Sequence, residues 1–222
     1  MRNPLLSVLV TLSAILTALP SSFGYGDEGH ETVGAIADQL IAGTSAAVHV
    51  NALLNGETLE QASIWADTAK RHFNRATNPE MATFVDANDT APNEHHQYHY
   101  TDAPIQETRY RDTSVGANPR DVVHMIRNCI AILEGTSNAR TNPTNIPPET
   151  ALKLLVHYVG DIHQPLHVGA AYFGPNATLV NPNTTSDALE GRGGNEISLH
   201  GSNLHSYWDG LTVKNAMAAA GV

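Results

Sequence analysis

The sequence predicts an all-α protein with a single, mainly helical domain. Apolar residues recur at helical spacing in several segments, residues that start and stop helices flank those segments, and alternating strand patterns are scarce. Removing a predicted leader of 24 residues from the 222-residue chain leaves 198 residues. That length suffices for one domain with a sizeable core and is too short for two independent ones.

The N-terminal segment has the pattern of a secretory signal peptide. Arg2 supplies a positive charge, and residues 5–19 form a nearly unbroken apolar run. The run is shorter than the roughly 20 apolar residues that a membrane span needs. A core helix is the alternative. We predict a signal peptide over residues 1–24, cleavage after Gly24, and a domain over residues 25–222 that is secreted, or periplasmic or vacuolar in some hosts, without a membrane anchor.

Two helices are predicted early in the domain. Apolar residues recur at helical spacing ahead of Gly43, at Val33, Ile36, Ala37, Leu40 and Ile41. A second amphipathic segment covers residues 45–54 and stops at Asn55-Gly56.

Two further helices follow. Asn118-Pro119 has the pattern of a cap and a first-turn proline, ahead of an apolar stripe formed by Val122, Val123, Ile126, Ile130 and Leu133. Pro147-Pro148 opens the other helix, which carries Leu152, Leu155, Val156 and Val159 and is closed by Gly160 and Pro165. Residues 170–192 are rich in polar residues and glycine, which predicts a long loop, and residues 196–200 could form a short extended piece.

The counts of cysteine and histidine restrict how the fold can be cross-linked. Cys129 is the only cysteine, so no intramolecular disulfide can form, and its place on an apolar stripe favours a buried hydrophobe over a nucleophile. The chain carries 12 histidines, which favours metal as the cross-link. Sequons begin at Asn88, Asn176 and Asn183, which suits a glycoprotein but could equally arise by chance.

The formal net charge of −10 argues against binding of nucleic acid through a broad basic face. Bound divalent cations could reverse the sign locally.

The strongest chemical signal lies between His157 and His167. His157 and Asp161 are four residues apart, so on a helix they project from one face and can reach one metal ion. The break at Pro165 lets His167 approach a neighbouring ion. His205 and Asp209 repeat the same spacing. One such pair is more often a surface hydrogen bond, but two pairs favour a metal centre.

Other candidate residues are weak when taken alone. His30, Asp67 and His99 would each be interpreted as surface residues. His30-Glu31 begins like a zinc protease helix, but Gly34 replaces the required second histidine, which excludes that class.

The ordered set of motifs resembles the trinuclear-zinc nuclease family typified by mung bean nuclease, which is related to the zinc-dependent phospholipases C. The motifs are Tyr25-Gly-Asp-Glu-Gly-His30, Trp65-Ala-Asp67-Thr-Ala-Lys70, His99-Tyr-Thr-Asp102, His157-x3-Asp161-x5-His167, Gly193-Gly-Asn195 and Asn203-Leu-His205-x3-Asp209. They run in order from Tyr25 to about Leu211. The resemblance implies an all-α fold around a cleft that holds three zinc ions.

The resemblance also implies the distribution of ligands. One ion would be held by Asp67, His99, His157 and Asp161, a second by His30, Asp161 and the backbone of Tyr25, and a third by His167, His205 and Asp209. Asp161 would bridge two ions, and His163 would bind none. The family normally has tryptophan where this chain has Tyr25, a change that backbone ligation tolerates.

The implied reaction is hydrolysis of phosphodiester bonds in single-stranded DNA and RNA by zinc-activated hydroxide, giving 5′-phosphate products, with 3′-nucleotidase activity. Asp67, Lys70 and Asp161 would be the catalytic residues. Tyr100 would stack on a base whose edge bonds Asp102 and Asn195. The protein is expected to act as a monomer.

Two alternatives stay open. One is a phospholipase C-like hydrolase that uses the same zinc ligands with a different substrate pocket, and the other is a non-enzymatic zinc-binding protein. The second is motivated by the 13 residues that follow Asp209, which make the chain short for the family at its C-terminus.

Overall fold

The structure is a computed structural model that describes residues 26–220. The predicted signal peptide and the predicted ligand Tyr25 lie outside the described residues. Within that range, no helix combines the length and the apolar character needed to cross a bilayer.

The described chain is mainly helical, as the sequence predicts. The α-helices are α1 (Asp27–Ile41), α2 (Ser45–Leu53), α3 (Leu59–Ala62), α4 (Trp65–Lys70), α5 (Pro79–Asn88), α6 (Val122–Leu133), α7 (Pro148–Asp161), α8 (Pro165–Val168), α9 (Leu204–Ser206) and α10 (Val213–Ala220). Short 3₁₀ turns cover Glu94–His99, Pro175–Ala177 and Arg192–Gly194, and a π-helical turn covers Tyr207–Thr212. The strands are β1 (Tyr172–Phe173), β2 (Leu179–Val180), β3 (Leu189–Glu190), β4 (Ser198–Leu199) and β5 (Ser202–Asn203).

Helix α1 crosses α3 at very close range, which explains the glycine at position 34. A Cβ atom on Gly34 would lie 2.5 Å from the Cα of Glu60, so no larger residue fits without a backbone shift. Asp38 of α1 also caps α3, because its carboxylate accepts from the backbone N–H groups of Leu59 (3.1 Å) and Glu60 (3.0 Å). These contacts fix α1, and with it the position of His30.

Helices α6 and α7 form the centre of the main core. The buried face of α6 consists of Val122, Met125, Cys129 and Ile132. It packs with α7 residues Ala151, Leu154 and Tyr158. Cys129 is fully buried, and burial raises the pKa of its thiol to about 12, so it is a small core residue as predicted.

The predicted start of α6 at Asn118-Pro119 is wrong. The helix begins at Val122, and Asp121 is the N-cap, because its carboxylate accepts from the backbone N–H of His124 at 3.1 Å. The Asn118 side chain instead accepts from the backbone N–H of Arg120 and closes a turn ahead of the helix. The apolar stripe is also shifted, since Ile130 is exposed.

The predicted loop over residues 170–192 contains three short strands. They form an antiparallel sheet in the order β2-β1-β3, in which Tyr172 pairs with Val180 on one side and with Glu190 on the other. Strands of two residues carry too little alternation to be detected in the sequence. The predicted extended piece at residues 196–200 does contain β4, which pairs with β5.

The three sequons differ in accessibility. Asn88 is buried, donates to the Phe84 carbonyl and accepts from the Tyr98 hydroxyl, so the fold leaves no room for a glycan there. Asn176 and Asn183 are exposed.

Candidate metal centre

Eight predicted metal ligands converge beside the C-terminal end of α7. All eight are buried: His30 on α1, Asp67 on α4, His99 at the end of a 3₁₀ turn, His157 and Asp161 on α7, His167 on α8, His205 on α9 and Asp209 on the π-helical turn. Donor atoms lie within 4.8 Å of one another in three groups: Asp67, His99 and His157; His30, His157 and Asp161; and His167, His205 and Asp209. Asp161 also lies within 3.3 Å of His99 and His157, so we count it with the first group as well.

The first group has the spacing of a tetrahedral site. The Nε2 of His157 lies 3.0 Å from Nδ1 of His99, 3.7 Å from Oδ1 of Asp67 and 3.3 Å from Oδ2 of Asp161. The Nδ1 of His99 lies 3.8 Å from Asp67 and 3.0 Å from Asp161. Zinc bonds of about 2.0 Å in a tetrahedron separate ligand atoms by about 3.3 Å. The four side chains therefore have the spacing of ligands to a single metal ion.

Backbone carbonyl groups orient three of the histidines. The Nδ1 of His157 donates to the Ser63 carbonyl at 2.6 Å, that of His167 to the His99 carbonyl at 2.9 Å, and that of His205 to the Gly193 carbonyl at 2.8 Å. Each bond leaves the Nε2 lone pair of the same ring available. This is the arrangement that orients histidine ligands in metal sites.

The second group joins His30 to Asp161. The Nε2 of His30 lies 3.5 Å from Oδ1 of Asp161, and the His30 ring stacks on His157 with centroids 3.7 Å apart. A Cβ on Gly160 would lie 2.5 Å from Nδ1 of His30, so only glycine admits the ring there. Asp161 directs Oδ2 to the first group and Oδ1 to this one, which suits the bridging role expected of it.

The third group contains His167, His205 and Asp209. The two imidazole rings stack with centroids 4.9 Å apart, and Oδ2 of Asp209 lies 3.4 Å from Nε2 of His205. Within the described residues, Nε2 of His167 and Oδ2 of Asp209 are buried without a hydrogen-bond partner. Such atoms are costly to bury unless a ligand satisfies them, and a cation does so.

The charges of the site suit divalent cations. Burial lowers the pKa of His30 to about 3 and that of His205 to about 4, which keeps both rings neutral as metal ligation requires. Burial alone would raise the pKa of Asp67, but the charge of Lys70, followed by those of His157 and His99, holds it below its usual range.

In contrast, burial raises the pKa of Asp209 to about 7, although the charge of His167 and the hydrogen bond from Gln164 oppose the shift. A nearby cation would favour its ionised form.

A cleft of about 310 Å³ opens beside the first and third groups. It is lined by all four residues expected to contact substrate: Lys70, Tyr100, Asp102 and Asn195. Lys70 Nζ donates to Oδ1 of Asp67 at 3.0 Å, and the Tyr100 ring is partly exposed. Burial, followed by hydrogen bonding and repulsion from Glu190, raises the pKa of Asp102 to about 8.

The structure also adds residues that the sequence analysis missed. Gln164 is fully buried, and its Nε2 donates to Oδ1 of Asp209 at 2.7 Å. Its place between the predicted residues Asp161 and His167 was the available signal. His96 and Arg192 line the cleft, and Glu190 faces Asp102. No motif marked these three.

His163 is exposed, donates to the Val159 carbonyl and belongs to none of the three groups.

Comparison with known proteins identifies the family of the chain. The S1/P1 Nuclease family profile matches residues 25–220. The chain is 27% identical to nuclease S1 of Aspergillus oryzae over 96% of its own length and 77% of that protein. It is 30% identical to endonuclease 1 and 28% identical to endonuclease 2 of Arabidopsis thaliana, over 95% and 92% of its length. The chain spans 61% of the length of each of these two plant relatives. The chain belongs to the S1/P1 nuclease family.

Proposed function

We propose that the chain is a secreted, monomeric, zinc-dependent endonuclease that hydrolyses phosphodiester bonds in single-stranded DNA and RNA. Its products carry 5′-phosphates, and it also removes the 3′-phosphate of mononucleotides. The observation that carries the proposal is the group of Asp67, His99, His157 and Asp161, whose donor atoms have tetrahedral zinc spacing. It lies beside a cleft with polar and aromatic residues on its walls.

Three zinc ions are the cofactors in this proposal. Asp67, His99, His157 and Asp161 would hold one, His30 and Asp161 with the Tyr25 backbone a second, and His167, His205 and Asp209 a third. Bound zinc would lower the pKa of a water molecule toward neutrality and offset the negative charge of the phosphate.

The side chains of the protein itself would position the substrate. The Lys70 ammonium lies at the cleft wall and would pair with a phosphate oxygen, while its bond to Asp67 fixes its direction. The Tyr100 ring would stack on a base, and Asp102 and Asn195 would bond the base edge. A base paired in a duplex could not enter such a pocket without leaving its stack, which accounts for preference for single strands.

The direct test compares substrates for the purified protein. We expect turnover of denatured DNA, RNA and 3′-AMP, and much slower turnover of duplex DNA. Turnover of phosphatidylcholine in place of nucleic acid would support the phospholipase alternative. Tight zinc binding without turnover of any of these substrates would support a non-enzymatic protein.

A further inference from the structure

A second, larger groove adjoins the cleft. Its volume is about 800 Å³, against about 310 Å³ for the cleft, and Lys70 and His96 line both. We call it the side groove and define it by Lys70, His72, Phe73, Arg75, His95 and His96, which lie on its wall. Because Lys70 and His96 line both, the two cavities are direct neighbours.

The side groove concentrates positive charge in an acidic protein. Residues 70–75 read Lys-Arg-His-Phe-Asn-Arg and hold three of the 12 Lys and Arg residues of a chain whose net charge is −10. Asp89 is the one acidic residue on the described wall, and its carboxylate is bonded to His95. Each of the three cations pairs with an aspartate that is not on the wall: Lys70 with Asp67, Arg71 with Asp27 and Arg75 with Asp86. The described wall therefore carries more cationic than anionic side chains.

Arg75 is available to such a ligand. Its guanidinium lies 5.7 Å from the centre of the Phe73 ring and pairs with Asp86 where both side chains are exposed. Exposed ion pairs contribute little stability, so a phosphate can replace this partner at small cost. His72 is also exposed beside it.

Two histidines, His95 and His96, form a polar part of the wall of the side groove. His95 is 97% buried, and Asp89 accepts from both its backbone N–H (2.8 Å) and its Nδ1 (2.7 Å), which fixes the ring. Among the described residues, the buried Nε2 atoms of His95 and His96 have no hydrogen-bond partner. Both rings are part of the groove wall, where the two bonds to Asp89 hold His95 in one orientation.

We propose that the side groove binds the sugar-phosphate backbone of nucleotides that adjoin the cleaved bond. The proposal rests on the nuclease function proposed above. Cationic side chains that follow a backbone, beside an aromatic ring, are the general means of binding single strands without sequence preference.

The test is the double variant His72→Ala/Arg75→Ala, assayed on a single-stranded DNA 12-mer and on a 3′-mononucleotide. We expect kcat/KM for the 12-mer to fall about tenfold at low salt, and kcat/KM for the mononucleotide to change less than about twofold. Loss of the phosphate contact of Arg75, the one cation that the double variant removes, should also reduce the slope of log affinity against log salt by about 0.7.

Arg127→Ala is the matched control. Arg127 also pairs with an exposed aspartate, Asp112, and also lies 5.7 Å from an aromatic ring, that of Tyr110, yet it lines neither cavity. It should change neither activity. An equal loss on both substrates, or no loss on the 12-mer, would overturn the proposal.

A binding measurement separates this proposal from the proposed function. Fluorescence anisotropy with a phosphorothioate 12-mer needs no turnover, and the double variant should bind it about tenfold more weakly than the unmodified protein. Unchanged affinity would refute the side groove even if the protein is a nuclease. Weakened affinity in a protein that turns over no nucleic acid would support the groove and refute the nuclease function.

Discussion

Gln164 and Asp209 are 45 residues apart in the sequence, yet the side-chain amide of Gln164 donates to Oδ1 of Asp209 at 2.7 Å. The Oε1 of the same amide accepts from the backbone N–H of Leu166 at 2.6 Å, so the amide itself is held. Both side chains are buried. The bond leaves Oδ2 of Asp209 directed toward His205. Gln164 therefore positions a predicted metal ligand.

Gln164→Leu should weaken zinc binding at the third group. Removing a group that orients a ligand typically costs 10- to 100-fold in metal affinity. Competition with a chromophoric chelator would measure this loss. Gln106→Leu is a suitable control, because exposed Gln106 also donates through Nε2, but to the Val180 carbonyl far from the site. Equal zinc affinity in the two variants would show that Gln164 has no positioning role.

Asp161→Asn should reduce cleavage of denatured DNA by at least about 10²-fold and lower the zinc content. The carboxylate is fully buried and lies within 3.5 Å of nitrogen atoms of His30, His99 and His157. His163→Ala, two residues further on, should leave both quantities unchanged because that ring is outside the groups. Full activity of Asp161→Asn would contradict the assignment.

Lys70→Met should lower kcat by about 10²-fold while most of the zinc remains bound, because the ammonium is assigned to the phosphate and not to an ion. Circular dichroism and metal analysis would check that the fold and zinc persist. Lys214→Met, at an exposed lysine 3.5 Å from Glu28, serves as the control. A variant that keeps its zinc and its full kcat would exclude Lys70 from catalysis.

The Asp102–Glu190 pair predicts a pH dependence of stability. Burial and the neighbouring Glu190 raise the pKa of Asp102 from 3.8 to about 8. Between these values the folded protein keeps a proton that the unfolded chain has released. The contribution of this carboxyl to the free energy of unfolding therefore falls as pH rises from about 4 to about 8.

Asp102→Asn removes that titration. The gain in Tm of the variant over the unmodified protein should therefore be larger at pH 8 than at pH 5. Differential scanning fluorimetry at the two pH values would measure the difference, with Asp112→Asn as an exposed control. The same change in Tm at both pH values would show that Asp102 has no such role.

The sequence was sufficient where local spacing determines geometry. His157 and Asp161 are one helical turn apart on α7, so their shared face follows from the helix alone. The break after α7 similarly places His167 beside them. His30, Asp67 and His99 gave no local signal, and only the family resemblance assigned them.

Long-range contacts were not predictable in the same way. Gln164 carries no charge and no typical ligand atom, so its role appears only when the chain brings Asp209 to it. Glu190 reaches Asp102 through a two-residue strand, which is too short to give a pattern. The prediction of where α6 begins was wrong because Asn118 and Asp121 are both typical cap residues. Only the fold shows that Asp121 accepts from the helix N–H.

The most direct test of the central claim is the zinc content of the purified chain, measured by mass spectrometry after dialysis against metal-free buffer. We expect close to three zinc ions per chain, held by the three groups of buried histidine and aspartate side chains. A protein that is folded by circular dichroism and retains less than one zinc ion per chain would contradict it.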